Sequence, residues 1–339
     1  MPAPSIKSGR VFRRVNQFSL DENSAQTYDL PRGFDLNALM IKVSGTIALT
    51  TAAAVKSYAP MHVIDRIDVF ADGNKQFDQR QNFFAAVALP DHKIFSGLDL
   101  VAPGSAVTTH TVRAAYLLDR VNADGPRPKD SALHTRLPFM SLLQTRIQMS
   151  NAAACFNTSG TAGGTVTENL TTEIFLDETS EFVAADNFEP RFVKRVSLQK
   201  LNITGANTAL KVNLPIGSYF RRVNIWALDG SAAVPETPSS ALINSVKIYT
   251  GLDIRYDMTW TNGRIENAKD YHTSVQSLPT GYLAADLCPN GDLNTLFNLT
   301  NVSEAFVEFD VNAPTNTGQI WMQVEEFFWQ DRPQGAPTA

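Results

Sequence analysis

The chain has 339 residues, 43% of them hydrophobic and 19% charged, with a formal net charge of −5. That length has room for two domains of ordinary size, each with its own core, and the composition excludes a disordered chain. The mildly acidic balance excludes the footprint of a dedicated nucleic-acid binder, and two cysteines outside any CxxC spacing, Cys155 and Cys288, exclude a disulfide or zinc framework.

Residues 1–9 read as an N-terminal arm. Met1 to Arg14 lacks the apolar core of a secretory signal. The longest weakly apolar stretch, Val43 to Val55, is interrupted by threonines and falls short of the about 20 residues a membrane helix needs. The expectation is a soluble chain synthesised in the cytoplasm with both thiols reduced. Lys7, Arg10, Arg13 and Arg14 all precede the first acid, Asp21. This basic segment fits either a solvated terminus or an arm that touches anionic phosphate, of lipid or of genome.

Period-2 alternation and turn residues predict strands along the first half. Arg10-Val11-Phe12-Arg13-Arg14-Val15 opens the series, and Leu30-Pro31-Arg32-Gly33 marks a turn. Leu39, Ile41 and Val43 follow, then Ile67-Asp68-Val69-Phe70 with the turn Ala71-Asp72-Gly73-Asn74. Gln79 to Leu89 reads as a short helix. Tyr116-Leu117 precedes the turn Asp124-Gly125-Pro126. Leu143, Thr145, Ile147 and Met149 lie on one strand face, with Gln144, Arg146 and Gln148 on the other. A loop rich in Ala, Gly, Ser and Thr spans Asn151 to Gly164, and Ile174 marks the last strand.

The same order then returns. Arg191-Phe192-Val193-Lys194-Arg195-Val196 repeats the opener, and Leu214-Pro215-Ile216-Gly217 repeats the turn. Val223, Ile225 and Ala227 match Leu39, Ile41 and Val43, and Val246-Lys247-Ile248-Tyr249 matches Ile67 to Phe70. Asn262 to Tyr271 is a second short helix in the corresponding place. Tyr282-Leu283 with Gly291 matches Tyr116-Leu117 with Gly125; Val307 matches Ile147, and Val324 matches Ile174. Further turns are expected at Asp229-Gly230 and Pro289-Asn290-Gly291. Ala305, Val307, Phe309 and Val311 alternate with Glu304, Glu308 and Asp310, and Ile320, Met322 and Val324 with Gln323 and Glu325. The pattern implies a tandem duplication, with an arm at 1–9, domains at 10–186 and 187–332 meeting near Ala185-Asp186-Asn187, and a tail at 333–339.

Motifs for chemistry are sparse. The chain contains no HExxH, GxSxG, Walker or dinucleotide signature. Gly160-Thr161-Ala162-Gly163-Gly164 has the wrong spacing to cradle phosphate. His62, His92, His110, His134 and His272 are scattered, with no i, i+4 pair to ligate a metal. Asn122-Ala123-Asp124-Gly125 resembles the middle of a calcium loop, yet Arg120 and Ser131 occupy the positions where the ion needs carboxylates. Asn290-Gly291-Asp292-Leu293-Asn294 reads as a turn that could offer oxygens to calcium. Asn298-Leu299-Thr300 and Asn301-Val302-Ser303 match glycosylation acceptors, without meaning in a chain that carries no secretory signal. Trp226, Trp260, Trp321 and the run Phe327-Phe328-Trp329 fit a core or a subunit contact, or a sugar-binding platform. No cofactor or metal is expected.

Two tandem all-β halves without a catalytic motif resemble the double jelly-roll major capsid proteins of tailless icosahedral bacteriophages with an internal membrane, of the tectivirus, corticovirus and finnlakevirus type. The paired openers at Arg10 and Arg191, the paired Leu-Pro-x-Gly turns at Leu30 and Leu214, and the closing run from Leu278-Pro279-Thr280-Gly281-Tyr282 to Trp329 carry the resemblance. It implies two antiparallel eight-stranded jelly rolls with few short helices. It also implies a non-enzymatic structural protein of the virion that forms a homotrimer of pseudo-sixfold outline and then a capsid lattice. Penton and minor capsid proteins would be its neighbours. Lys7, Arg10, Arg13 and Arg14 are the positions onto which an inward contact with membrane or genome would fall. The alternatives are a two-domain β-sandwich carbohydrate-binding protein or hydrolase with a site between the halves, and a phage spike or decoration protein.

Overall fold

Alternating apolar positions become strands along the whole computed structural model, which describes residues 9–19, 21–55, 62–80, 83, 107–119, 133–134, 140–150, 155–157, 166–180, 191–230, 237–288 and 295–330. The first half holds β1 (Gly9–Phe18), β2 (Ala25–Asp29), β3 (Asp35–Val55), β4 (Ile64–Ala71), β5 (Asn74–Arg80), β6 (Val107–Asp119), β7 (Leu133–His134), β8 (Leu143–Met149), β9 (Phe156–Asn157) and β10 (Val166–Ser180). The second holds β11 (Arg191–Ile203), β12 (Asn207–Asn213), β13 (Tyr219–Gly230), β14 (Ile243–Thr250), β15 (Asp253–Thr259), helix α1 (Trp260–Asp270), β16 (Tyr282–Asp286), β17 (Phe297–Asn298), β18 (Ala305–Val311) and β19 (Thr317–Gln330).

In the first half the strands pair in the orders β1-β10-β3-β6 and β2-β8-β4-β5; in the second, β11-β19-β13-β16 and β12-β18-β14-β15. The first and last strands of each half are neighbours, so each chain segment wraps as a jelly roll. The two orders superpose strand for strand: β1 on β11, β2 on β12, β3 on β13, β4 on β14, β5 on β15, β6 on β16, β8 on β18 and β10 on β19. Short β7 and β9 add to β3, and β17 to β13. One parallel bridge, Val196 to Phe77, joins β11 to β5 and links a sheet of the first roll to a sheet of the second. The expected boundary at 186/187, residues 1–8 of the arm expected at 1–9, and the tail at 333–339 lie outside the described residues, and Gly9 belongs to β1 rather than to an arm.

The turn anchors sit at matching places, whereas two strand pairs are each two residues out of step: Ile67 faces Ile147 but Val246 faces Phe309 rather than Val307, and Ile41 faces Ile174 but Ile225 faces Met322 rather than Val324. Leu30 and Leu214 are buried, and their N–H groups donate to the carbonyls that begin the equivalent strands β8 and β18, Leu143 and Ala305, each at 2.8 Å. Pro31 and Pro215 follow in each turn, then Gly33 and Gly217 at φ +138° and +87°, a region side-chain-bearing residues avoid. Each roll keeps its own core: one cluster gathers Leu39, Ile41, Val43, Ile67, Ile147 and Ile174, and another gathers Val223, Ile225, Ala227, Val246, Val307 and Val324.

Several expectations need correction. Asp229-Gly230 is not a turn; both residues belong to β13, and Gly230 pairs with Thr317. The Asp229 carboxylate instead accepts from the N–H groups of Thr315 and Asn316 in the neighbouring loop. Gln79 and Arg80 end β5, laddered to Ile67 and Arg66, so the helix expected from Gln79 does not begin there. Of its remaining residues only Phe83 is described. The second helix is present as α1, two residues early, because Thr259 caps it by accepting from the Asn262 N–H. Tyr282 is one residue out of step with Tyr116. Ile41 faces Tyr116 across its ladder, but Ile225 faces Leu283, so Tyr116 enters the core and Tyr282 points to the opposite sheet face. Gln323 and Glu325, expected on a solvated face, are fully buried.

Candidate assembly interface

Lys7 lies outside the described residues, and Arg10 pairs through its backbone with Thr179 in the β1–β10 ladder. Arg13 donates from Nε and Nη2 to Glu178 at 2.7 and 3.2 Å. Arg14 donates from Nη1 to Glu173 at 2.6 Å. The segment that reads as uncompensated is thus matched, at Arg13 and Arg14, by acids about 160 residues later that the antiparallel β10 brings alongside. The second roll repeats the device. Lys194 Nζ lies 3.3 Å from Glu325, and Arg195 Nε donates to Glu326 at 2.6 Å. One pair in each roll also stacks its guanidinium on an aromatic ring: Arg13 over Phe34 at 5.7 Å and Arg195 over Phe328 at 4.1 Å. The repeated basic motif therefore clamps the first strand of each roll onto its last.

The two rolls meet along one face of the β11-β19-β13-β16 sheet, the face turned away from the second core. Beside the Val196–Phe77 bridge, Val193 and Val196 join the first roll's core. Phe83 packs edge-on against Trp226 at 6.3 Å, in a cluster with Leu228, Tyr271 and Tyr282. Arg80 lies 4.3 Å over the Trp321 ring. These contacts remove the face from water, which is why its polar positions are buried.

Burial forces those polar groups to satisfy one another. Glu325 is the hub. Its Oε1 accepts from Arg222 Nε and Asn224 Nδ2 at 2.7 and 2.8 Å, and its Oε2 lies 3.3 Å from Lys194 and 3.9 Å from Arg221. Asn224 also donates to Gln323 at 3.2 Å and accepts from the Tyr282 hydroxyl at 2.9 Å. Arg222 reaches Asp286 at 3.8 Å, and the Tyr271 hydroxyl donates to the same carboxylate at 3.4 Å. Burial pushes the Asp286 carboxyl up, with Arg221 and Arg222 pulling it partly back, and burial likewise raises the Tyr271 hydroxyl. Sequence reading missed this network because alternation assigns polar residues to solvent. The signal was present as Arg221-Arg222 inside the apolar run of β13, where charges on a continuous strand require buried partners.

Helix α1 closes the outer edge of the same sheet. Asn267 donates to the Ala284 carbonyl and accepts from the Ala284 N–H, both at 2.8 Å, standing in for a missing neighbour of β16. Arg264 donates to the carbonyls of Val275, Leu278, Pro279 and Tyr282, fixing the connection into β16.

The remaining candidates are placed as follows. His110 is buried against Phe156 at 4.7 Å, His62 is buried near Ser150, and His92 lies outside the described residues. Among the described residues no group of three or more His, Cys, Asp or Glu side chains could hold a metal ion. The possible calcium turns at Asn122 and Asn290 are not described. Cys155 and Cys288 are buried thiols. Trp226 and Trp260 are buried, Trp226 at the roll junction and Trp260 in the second core. A sugar platform has no exposed face at either. Trp329 is half-exposed beside Phe192, 4.8 Å away.

No protein-family model matches the sequence, and no curated protein matches it. Solved structures do. A chain from the atomic structure of Sulfolobus Turreted Icosahedral Virus superposes with a TM-score of 0.70 at 12% identity, over 94% of this chain and 90% of that one. The major capsid protein P2 of bacteriophage PM2 superposes at 0.61 and 13% identity, over 96% and 99%. The PBCV-1 virus capsid does so at 0.62 and 12%, over 95% and 94%. This is the double jelly-roll major capsid protein fold. At such identity the likeness establishes architecture, and it extends over both rolls, since nearly the whole chain is matched.

Proposed function

We propose that the chain is a major capsid protein that self-assembles into homotrimers of pseudo-hexagonal outline, which tile an icosahedral virion shell. The observation that carries this reading is the strand-for-strand duplication of a jelly roll within one chain, with the two rolls joined by a junction whose centre, Phe83, Trp226 and Tyr282, is buried. Two similar rolls per chain give a three-fold unit six similar lateral faces, and six-cornered units cover a surface. The match to the major capsid protein P2 of bacteriophage PM2 over 96% of this chain and 99% of that one supports a two-roll capsid protein, and we extend this to the shell of a tailless bacteriophage with an internal membrane. Its neighbours in such a shell are further copies of itself, together with penton and minor capsid proteins.

An inward contact with membrane or genome would fall on Lys7, Arg10, Arg13 and Arg14, of which Arg13 and Arg14 also hold carboxylates of β10. Light scattering across a wide concentration range tests the assembly reading. A stable mass of three chains, each 37.2 kDa, is expected; a monomer throughout would overturn it. The sandwich-enzyme alternative needs an open polar cleft between the halves, and that junction is filled by Phe83, Trp226 and Tyr282.

A further inference from the structure

The in-chain junction defines what an equivalent junction between chains would join. Within the chain the edge of β5, in the first roll, meets the edge of β11, in the second, through the parallel bridge Phe77–Val196. The counterpart of β5 is β15, and the counterpart of β11 is β1. Among the described residues β15 has one strand neighbour, β14, and β1 has one, β10. Both therefore present a free edge, and they are the two partners that the duplication leaves unmatched.

These edges also carry apolar surface. Phe12 on β1 is 52% exposed and stacks on Phe175 at 5.4 Å. Ile254 on β15 is 50% exposed, Leu252 in the turn before it 99%, and Ile265 on the following helix 50%. These four are more than half of the exposed large hydrophobic residues among those described, the others being Leu142, Ile216 and Trp329. An uncovered strand edge beside apolar side chains invites another chain.

We propose that β15 of one copy pairs in parallel with β1 of the next, repeating between chains the junction that β5 and β11 make within one. The proposal rests on the trimer reading and gives it a surface. The expected bridge is Tyr256 to Arg14 of the next copy. Tyr256 faces Ile248 as Phe77 faces Val69, and Arg14, which follows the Glu178-bound Arg13, holds the place of Val196, which follows the Glu326-bound Arg195. Backbone pairing along an edge supplies the contact, and Phe12 and Ile254 supply apolar area beside it. The contact is head-to-tail, so each copy offers one β1 edge and one β15 edge, and successive copies close a ring.

Head-to-tail geometry makes a specific demand on mixtures. Phe12→Lys blocks the β1 edge and Ile254→Lys the β15 edge, and each alone is expected to remain monomeric at concentrations roughly 100-fold above those at which the parent is trimeric. Mixed in equal amounts, the two variants retain one good edge each and form a dimer of twice 37.2 kDa, read by native mass spectrometry, that grows no further. Trp329→Lys, away from both edges, keeps the trimer. Circular dichroism checks each fold. If Ile254→Lys misfolds, Leu252→Lys replaces it, since that side chain stands almost wholly in solvent. Parent trimer with trimeric Phe12→Lys and Ile254→Lys variants would refute this surface and leave the trimer standing. Monomeric variants that give no dimer on mixing would refute the head-to-tail contact, and a monomeric parent would overturn the trimer itself.

Discussion

Replacing Glu325 by Gln keeps the shape of the side chain and removes the one negative charge that Arg222, Lys194 and Arg221 share within 4 Å. All four groups are buried, so water cannot take over. Unit charges about 4 Å apart attract by about 4 kcal/mol at an effective dielectric of roughly 20, and removing one partner of a buried pair destabilises by about 3–5 kcal/mol because the other charge stays stranded. At about 2–4 °C per kcal/mol for a cooperative unit of roughly 150–250 residues, the melting temperature should fall by roughly 6–20 °C. Glu308→Gln is the control. Its partner Lys211, 4.0 Å away, is more than half exposed, and such pairs contribute about 1 kcal/mol or less. Differential scanning calorimetry on parent and both variants reads the comparison. Glu325→Gln and Glu308→Gln shifting Tm equally would refute the view that the polar face is a dry, mutually dependent network.

Asp286 should behave oppositely to Glu325. Burial raises its carboxyl, so its contribution to stability is present below the unfolded value of about 3.9 and is lost as pH rises through the raised folded value; Asp286→Asn should leave Tm at pH 7 unchanged or higher and flatten this part of the pH profile, whereas a fall at pH 7 as large as that of Glu325→Gln would contradict the assignment. Gly217→Ala should destabilise by about 1–2 kcal/mol from backbone strain alone, because φ is +87° and nothing lies within 4 Å of the added Cβ; urea titration showing no loss would mean that the turn relaxes freely. Phe83→Ala empties the roll junction beside Trp226 and should cost about 3–5 kcal/mol, separating the two rolls into two calorimetric transitions, and a single unchanged transition would show that the junction does not couple them.

The duplication was legible because each roll needs the same inward residues at the same turns. The Leu-Pro-x-Gly pair, the Arg-Val-Phe-Arg-Arg-Val opener and the alternation of Leu143 to Met149 all mark positions where one face meets a core and the other meets water. The strands next to the helices were harder to read. Asn74 to Arg80 carries its charges, Lys75, Asp78 and Arg80, at irregular spacing, and Asp253 to Thr259 is an edge strand with one strand neighbour among the described residues, which needs little apolar signal. The network around Glu325 was illegible for a different reason. Alternation records which residues share a face, and cannot tell whether that face meets water or another roll. Tyr282 shows the same limit at one residue: tyrosine suits either face, so its match with Tyr116 looked sound until the ladder placed Leu283 opposite Ile225.

The central claim is that one chain supplies two of six similar lobes around a three-fold axis. Single-particle electron microscopy of the purified protein tests it most directly. Class averages viewed down the axis should show a closed particle of six lobes with three-fold symmetry; bilobed single chains, or open filaments of stacked copies, would contradict it.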